Sequence, residues 1–176
     1  FTFSGRVPKA PPLQVVGVCD ALITAERGVA LAVQTADCLP VVLAGGGVVS
    51  IVHAGWRGLA AGILEKAVRL LSVQFGVEPM ALNAVIGVGV GPCHYPVGPE
   101  VVTALTTQLG PLSGAASDGR VDLQACARKA LLKAGLLSER LRVLPGCTAC
   151  NPNYHSYRRD GSQAGRQWAA VVLPPV

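Results

Sequence analysis

The sequence predicts one mixed α/β domain of the α+β type, because short apolar strands and amphipathic helices alternate along it without a repeat or a linker. A length of 176 residues fits a single compact domain. Hydrophobic residues make up 51% of the chain and charged residues 14%, which excludes a disordered protein. The predicted strands are apolar throughout, as is typical of a sheet covered on both faces. We therefore expect residues 1–176 to form one domain.

Turn residues and hydrophobic periodicity predict the elements in chain order. Residues 1–18 are irregular, and strands follow at 29–34, 39–44, 48–53, 83–88, 141–144 and 167–173. Three consecutive glycines at 45–47 predict a tight turn between the second and third of these strands. An apolar stripe predicts a helix near 59–75, Pro99 and Gly110 bound a second helix, and Asp122 is the N-cap of a third over 123–134.

Composition also limits the partners. The formal charge of +5 is scattered and the longest basic run is Arg158-Arg159, so we expect no nucleic-acid partner. No apolar stretch reaches membrane-spanning length and no secretory signal is visible, which predicts a cytoplasmic protein that binds no membrane. The six cysteines do not form a loop-rich framework, so we expect free thiols. A monomer is favoured, and the lack of a starting Met predicts that residues precede Phe1.

A cysteine and a histidine flank the predicted hairpin. Cys38 precedes one strand and His53 ends the next, so antiparallel pairing across the glycine turn brings both side chains to one end of the sheet. A thiolate and an imidazole in this arrangement can bind zinc. Alternatively, the imidazole can deprotonate the thiol and make it a nucleophile. Arg57 follows at the mouth of the predicted helix near 59–75, where an anion such as phosphate is favoured.

Residues 86–98 contain glycines at alternate positions that do not match a dinucleotide-binding loop. We expect these glycines to allow close backbone approach. Within this segment, Cys93 and His94 are either residues of a structural turn or additional metal ligands. The pattern by itself favours the turn.

The third informative block covers residues 147–161. Cys147 and Cys150 form a C-x-x-C, but the chain has no second such pair, which gives a structural zinc site little support. Tyr157, Arg158 and Arg159 then bring an aromatic ring and two cations into a loop that ends at a glycine. Such a loop is suited to a substrate wall that stacks on a ring and contacts an anion.

Four motifs together resemble the laccase-domain or YfiH-type family, also known as the polyphenol oxidase or purine nucleoside phosphorylase family. They are TADCLP at 35–40, HAGWRGL at 53–59, GPC-x-Y-x-VG at 91–98 and SYRRDG at 156–161. The likeness runs from about Asp20 to the C-terminus. It implies a layered α/β/β/α fold with mixed sheets, and one zinc bound by an upstream histidine, Cys38 and His53.

The resemblance also implies a zinc-dependent purine nucleoside phosphorylase that acts on adenosine, inosine and S-methyl-5'-thioadenosine, with adenosine deaminase activity. Its partners would be a purine nucleoside and phosphate. The residues implied as catalytic are Cys38, His53 and Arg57, and those implied as substrate contacts are Arg57, Tyr157, Arg158 and Arg159. The family's upstream QVHG-type histidine has no counterpart, because His53 is the first histidine in the chain.

Three alternatives stay open. A cysteine hydrolase would use Cys38 as nucleophile and His53 as base. A copper-dependent polyphenol oxidase needs several histidines, and the chain has three. A non-catalytic homologue that has lost a metal ligand would bind no zinc and turn over no nucleoside.

Overall fold

The computed structural model of the protein describes residues 17–175. The predicted irregular segment at 1–18 lies almost entirely outside these residues. The strands are β1 (Ala21–Thr24), β2 (Ala30–Thr35), β3 (Leu39–Gly45), β4 (Val48–Ala54), β5 (Asn83–Ile86), β6 (Ala116–Ser117), β7 (Arg120–Val121), β8 (Leu141–Val143) and β9 (Gln167–Val172). The α-helices are α1 (Trp56–Ala60), α2 (Ile63–Phe75), α3 (Pro99–Leu109), α4 (Leu123–Lys133) and α5 (Tyr157–Asp160). Each predicted strand is confirmed to within two residues at either end.

The main sheet has five strands in the order β1-β4-β3-β5-β8. It is mixed, since β5 and β8 run parallel while the other neighbouring strands run antiparallel. Strands β2 and β9 form a separate antiparallel ribbon that packs against β4. The predicted mixed α/β class with mixed sheets is therefore confirmed. None of the described helices is both long and apolar enough to cross a membrane.

The hairpin between β3 and β4 sets the register of the sheet. Gly45 pairs with Val48, which leaves Gly46 and Gly47 as a two-residue turn with φ of +56° and +78°. Two consecutive positive φ angles define the type I′ turn, whose twist matches that of the strands it joins. The register that follows places Pro40 opposite His53.

Both faces of β3 and β4 are covered. Leu39, Val41 and Leu43 of β3 alternate with residues of the opposite face and join one buried core with α2, α3 and α4. On β4, Val52 belongs to this core, whereas Ile51 points the other way and is equally buried. The β2–β9 ribbon contacts β4 and covers that second face. Because side chains alternate between the two faces of a strand, His53 lies on the same face as Ile51, which is the face covered by the β2–β9 ribbon.

The helical segment after β4 differs from the prediction of one helix near 59–75. The chain forms α1 and α2 instead, separated at Gly62, whose φ of +72° is a left-handed conformation that a continuous helix does not allow. Helix α1 has five residues and starts directly after the strand that carries His53. A helix this short has little dipole, so any attraction for an anion comes from the Arg57 guanidinium itself. The two later helices are confirmed: Asp122 caps α4 by accepting a hydrogen bond from Ala125 N, and Gly110 ends α3.

Candidate functional site

The sequence motifs meet at one end of the main sheet. Strand β3 starts where β4 and β5 end, and β8 runs parallel to β5, so the segments that follow β4, β5 and β8 surround the start of β3. Backbone hydrogen bonds join these segments: Val90 N donates to Asp37 O at 2.9 Å, and Thr148 N donates to Gly89 O at 2.9 Å. The segment after β5 therefore lies between the start of β3 and the segment after β8.

The glycines after β5 allow this packing. A Cβ at Gly89 would lie 2.6 Å from the carbonyl oxygen of Asp37, and one at Gly87 would lie 2.6 Å from the Pro40 ring. No side chain fits at either position. The predicted role of these glycines in close backbone approach is confirmed.

Cys38 and His53 are brought together as the hairpin predicts. Cys38 immediately precedes β3 and faces Gly55, where a Cβ would lie 2.9 Å from the Cys38 sulfur. The half-buried His53 lies within reach of the same thiol, and this contact is the main reason that its pKa is raised to about 9. Burial of the imidazole opposes the rise, and the Asp20 carboxylate adds to it.

Asp20 is a site residue that sequence reasoning missed. Strand β1 pairs with β4, and Asp20 directly precedes β1. The pairing extends to Asp20, because His53 N donates to Asp20 O at 2.7 Å. The His53 Nδ1 and Asp20 Oδ1 atoms are 2.9 Å apart. An ionised carboxylate only accepts, so Nδ1 carries the proton and Nε2 is left to meet the thiol or a metal. No spacing signal links two residues 33 positions apart before the β1–β4 pairing is known.

Asp37 holds the chain in an unusual conformation just before Cys38. Its φ is +88°, a region that residues other than glycine rarely adopt, and its side chain is 7% exposed. Thr148 Oγ1 donates to one carboxylate oxygen at 2.6 Å, and Arg158 N donates to the other at 2.7 Å. Both acceptors of a buried carboxylate are thus satisfied, which offsets the strain and fixes the position of Cys38.

A cavity of about 460 Å³ lies at the same end of the main sheet as Cys38 and His53. Its lining residues are Trp56, Arg57, Tyr95, Pro96, Val97, Gly98, Glu100, Val101 and Arg158. The Arg158 guanidinium carbon is 4.7 Å from the centre of the Tyr95 ring, and that of Arg57 is 4.6 Å from the centre of the Trp56 ring. Two guanidinium groups, each lying over an aromatic ring, therefore face one cavity, whose volume is in the range of small-molecule sites.

Tyr95 links the cavity to the thiol. Burial raises the pKa of the Tyr95 hydroxyl, the positive charge of Arg158 lowers it, and the Cys38 charge raises it further. The Cys38 and Arg158 charges therefore both lie close enough to influence this hydroxyl. Sequence reasoning did not include Tyr95, although it stands inside the GPC-x-Y-x-VG motif.

Two of the predicted substrate residues lie elsewhere. Tyr157 is 57% exposed and does not line the cavity. The Arg159 guanidinium forms hydrogen bonds to both carboxylate oxygens of Asp160 at 2.8 Å. It also donates to backbone carbonyls, which belong to Thr148, Ala149, Asn151 and Tyr154. We therefore assign Arg159 to the structure of its own loop and Arg158 to the cavity.

A second group of ligand atoms forms a cluster of three cysteines and one histidine. Its members are Cys93, His94, Cys147 and Cys150, whose ligand atoms all lie within 4.8 Å of one another. Burial opposes ionisation of Cys147, but hydrogen bonds from the backbone N–H groups of Gly91 and Cys150 and from the Cys93 and Cys150 side chains together lower its pKa to about 7. Among residues 17–175, this thiolate cluster is the one group of three or more such side chains that could hold a metal ion.

The thiolate cluster explains why the C-x-x-C carried so weak a signal. A structural zinc site was expected to contain a second C-x-x-C. The other two ligands of this cluster are instead the adjacent residues Cys93 and His94, more than fifty positions away in the sequence. Parallel pairing of β5 with β8 brings the two halves together. All six cysteines lie within the described residues and none forms a disulfide, as predicted.

The fold is that of a laccase-domain protein. Residues 5–174 match the family described as multi-copper polyphenol oxidoreductase laccase, and the chain belongs to that family. A solved structure, YlmD from Geobacillus stearothermophilus, has a TM-score of 0.83 at 36% identity, covering 89% of this chain and 61% of that one. The Bacillus licheniformis protein YfiH also has a TM-score of 0.83, at 31% identity, covering 88% of this chain and 61% of its own.

Similar proteins carry the name purine nucleoside phosphorylase. One from Deinococcus radiodurans is 38% identical over 159 residues, which is 88% of this chain and 61% of the relative. YlmD from Geobacillus stearothermophilus has the same name and is 37% identical over 161 residues, or 86% of this chain and 59% of the relative. The chain thus spans about three fifths of the length of these relatives.

Proposed function

We propose that this protein is a zinc-dependent purine nucleoside phosphorylase acting on adenosine, inosine and S-methyl-5'-thioadenosine, with adenosine deaminase activity. The observation that carries the proposal is the cavity lined by Arg57 and Arg158, at the end of the sheet where Cys38 and His53 meet. The names of the relatives supply the substrate class.

Arg57 and Arg158 are the proposed phosphate ligands. Both line the cavity, and each is held over an aromatic ring rather than in an ion pair. A guanidinium donates two parallel hydrogen bonds to phosphate oxygens, which both binds and orients this nucleophile. Orthophosphate held there would attack C1′ of the ribose, the C1′–N9 bond would break, and the free purine base would take up a proton.

Glu100 is the proposed ribose contact. It is an acidic side chain in a cavity that otherwise presents cations, aromatic rings and apolar groups. A carboxylate there accepts hydrogen bonds from sugar hydroxyls and repels phosphate. The ribose would therefore bind near Glu100 and the phosphate near the two arginines.

Cys38 and His53 are the proposed metal ligands within the described residues. A thiolate and an imidazole suit zinc, and the Asp20–His53 hydrogen bond has the geometry of the carboxylate–histidine pairs that orient metal ligands. When bound, zinc would supply a Lewis acid beside the reacting groups. An open catalytic zinc site uses three protein ligands, and this pair supplies two of them.

A cysteine hydrolase is the second candidate, favoured by the raised pKa of His53. Below a pH of about 9 the imidazole is protonated, and a positive charge beside Cys38 would stabilise negative charge that develops during a nucleophilic reaction. This interpretation predicts rapid alkylation of Cys38 and activity that survives chelators. The copper oxidase alternative has less support, because the Cys38–His53 pair and the thiolate cluster each contain a single histidine.

The test is to incubate zinc-replete full-length protein with inosine and follow hypoxanthine with and without orthophosphate. We expect phosphate-dependent release together with ribose 1-phosphate, and loss of both in Cys38→Ala. Base release without phosphate would indicate a hydrolase. No release from any of the three nucleosides, with Cys38→Ala matching the wild type, would favour the non-catalytic homologue.

A further inference from the structure

We propose that the thiolate cluster of Cys93, His94, Cys147 and Cys150 is a structural zinc site, separate from the Cys38–His53 pair. Three thiolates and one imidazole fill the four positions of a tetrahedral ion without leaving one for substrate. The inference does not depend on the proposed phosphorylase activity, because it rests on the positions of these four side chains alone.

The interatomic distances fit one tetrahedral ion. Zn–S bonds of about 2.3 Å and Zn–N bonds of about 2.0 Å place neighbouring sulfurs about 3.8 Å apart and a sulfur about 3.5 Å from the nitrogen. In the cluster, the Cys93 and Cys150 sulfurs are 3.5 Å apart. His94 Nδ1 lies 3.4 Å, 3.3 Å and 3.9 Å from the sulfurs of Cys93, Cys150 and Cys147.

Neighbouring groups leave room for the thiols and provide a hydrogen-bond donor and a cation near them. Gly91 N donates to the Cys147 sulfur at 3.1 Å. A Cβ at Gly91 would lie 3.1 Å from the Cys147 Cβ and 3.4 Å from the Cys93 sulfur, so glycine leaves the room that both thiols need. The Arg120 guanidinium donates to the Cys93 carbonyl at 2.6 Å, which brings a cation next to a site whose three thiolates exceed the charge of Zn²⁺.

The donor set selects the metal. Three soft thiolates with one imidazole favour zinc over magnesium, calcium or manganese, which prefer oxygen. Cys93, His94 and Cys150 are exposed, so an ion can enter without opening the core. Cys147 is 9% exposed and anchors the site on its inner side.

The metal would fasten two segments that also build the candidate active site. Tyr95 follows His94 directly and lines the cavity, and Thr148 follows Cys147 and binds the Asp37 carboxylate. A zinc ion would replace the thiol contacts by four metal–ligand bonds, two to the segment after β5 and two to the segment after β8. Its expected effect is on the stability of this end of the sheet.

The test is metal content and cobalt spectroscopy on the full chain carrying Cys38→Ala and His53→Ala, which removes the other pair. We expect about one zinc per chain by elemental analysis, and a cobalt derivative with the thiolate charge-transfer and tetrahedral ligand-field bands of a sulfur-rich site. Adding Cys150→Ser should abolish most of the zinc, whereas Cys19→Ser, at another exposed cysteine, should leave it unchanged.

Three results would overturn the inference. One is less than about a tenth of an equivalent of zinc in the reduced double variant after zinc loading. Another is a cobalt spectrum without thiolate bands, which stays informative even if Cys150→Ser fails to fold. The last is zinc content that Cys150→Ser does not reduce. Each readout is independent of nucleoside turnover, so failure of the phosphorylase proposal would not be mistaken for failure of this one.

Discussion

The two cysteine–histidine groups of this molecule lie at the same end of one sheet, near one cavity, and differ in the number of ligands they offer. The Cys38–His53 pair offers two ligands. The thiolate cluster offers four ligands close to one another. Members of neither group line the cavity; its Arg57 follows the strand that carries His53, and its Tyr95 follows His94. An incomplete ligand set suits chemistry on a substrate, whereas a complete set suits a structural ion. The same residue types therefore have different expected roles because of ligand number.

The largest expected effect is the loss of catalytic rate when the Cys38–His53 pair is disrupted. Cys38→Ala should lower kcat/KM for inosine phosphorolysis by more than about a hundredfold, because it removes a direct ligand, and outer-shell partners alone cost about 10- to 100-fold. Steady-state rates of zinc-loaded protein measure this. Cys19→Ala, which removes another thiol, should stay within about twofold of the wild type. Equal rates for Cys38→Ala and the wild type would remove the catalytic half of the comparison.

The second largest effect is expected for Asp20, whose carboxylate orients the His53 imidazole. Asp20→Asn should lower kcat/KM by about 10- to 100-fold, because an amide can donate to Nδ1 and favour the wrong His53 tautomer. Asp118→Asn, in the β6–β7 turn, is the matched control and should leave the rate unchanged. An unaffected rate in Asp20→Asn would show that the 2.9 Å contact does not position His53 for the reaction.

A smaller effect is expected for phosphate binding. Arg57→Gln should raise KM for phosphate by about tenfold or more, since hydrogen bonds to a charged group contribute about 1.5–3 kcal/mol. KM for inosine should change less, and this difference separates loss of the anion contact from general damage. Arg69→Gln, on the exposed side of α2, serves as the control. A parallel rise in both KM values would argue against a phosphate role for Arg57.

The smallest expected effect is on stability. Thr148→Val removes the donor to the buried Asp37 carboxylate and should lower the free energy of unfolding by about 1–3 kcal/mol. Urea denaturation followed by circular dichroism measures it. Thr107→Val on α3 removes an exposed hydroxyl contact and should change stability by less than about 0.5 kcal/mol. No difference between the two variants would mean that Asp37 does not need Thr148 to keep its conformation.

The comparison also shows what the sequence could predict. The approach of Cys38 to His53 follows from local rules, because a glycine turn joins two apolar strands and fixes their register. The helix caps at Asp122 and Gly110 are similarly local. The break at Gly62 was missed because a helix tolerates an isolated glycine, and only the bend between α1 and α2 gives this one a left-handed conformation.

The thiolate cluster and the contact of Asp20 with His53 can be predicted only when the order of the strands in the sheet is known. Pairing of β1 with β4 places Asp20 beside His53, and parallel pairing of β5 with β8 brings Cys93 to Cys150. No periodicity in a single sequence encodes which distant strands become neighbours. The contacts of Arg159 with Thr148 and Ala149 could not be predicted for a related reason, since these residues come from another segment.

The most direct test of the division between the two groups is to measure zinc content and inosine phosphorolysis side by side in Cys38→Ala and Cys150→Ser. We predict that Cys38→Ala keeps the cluster zinc and loses turnover. Cys150→Ser should lose that zinc, melt at least about 4 °C lower, and keep turnover within about tenfold when assayed well below its melting temperature. The opposite pattern, with turnover lost only in Cys150→Ser and retained in Cys38→Ala, would contradict the account.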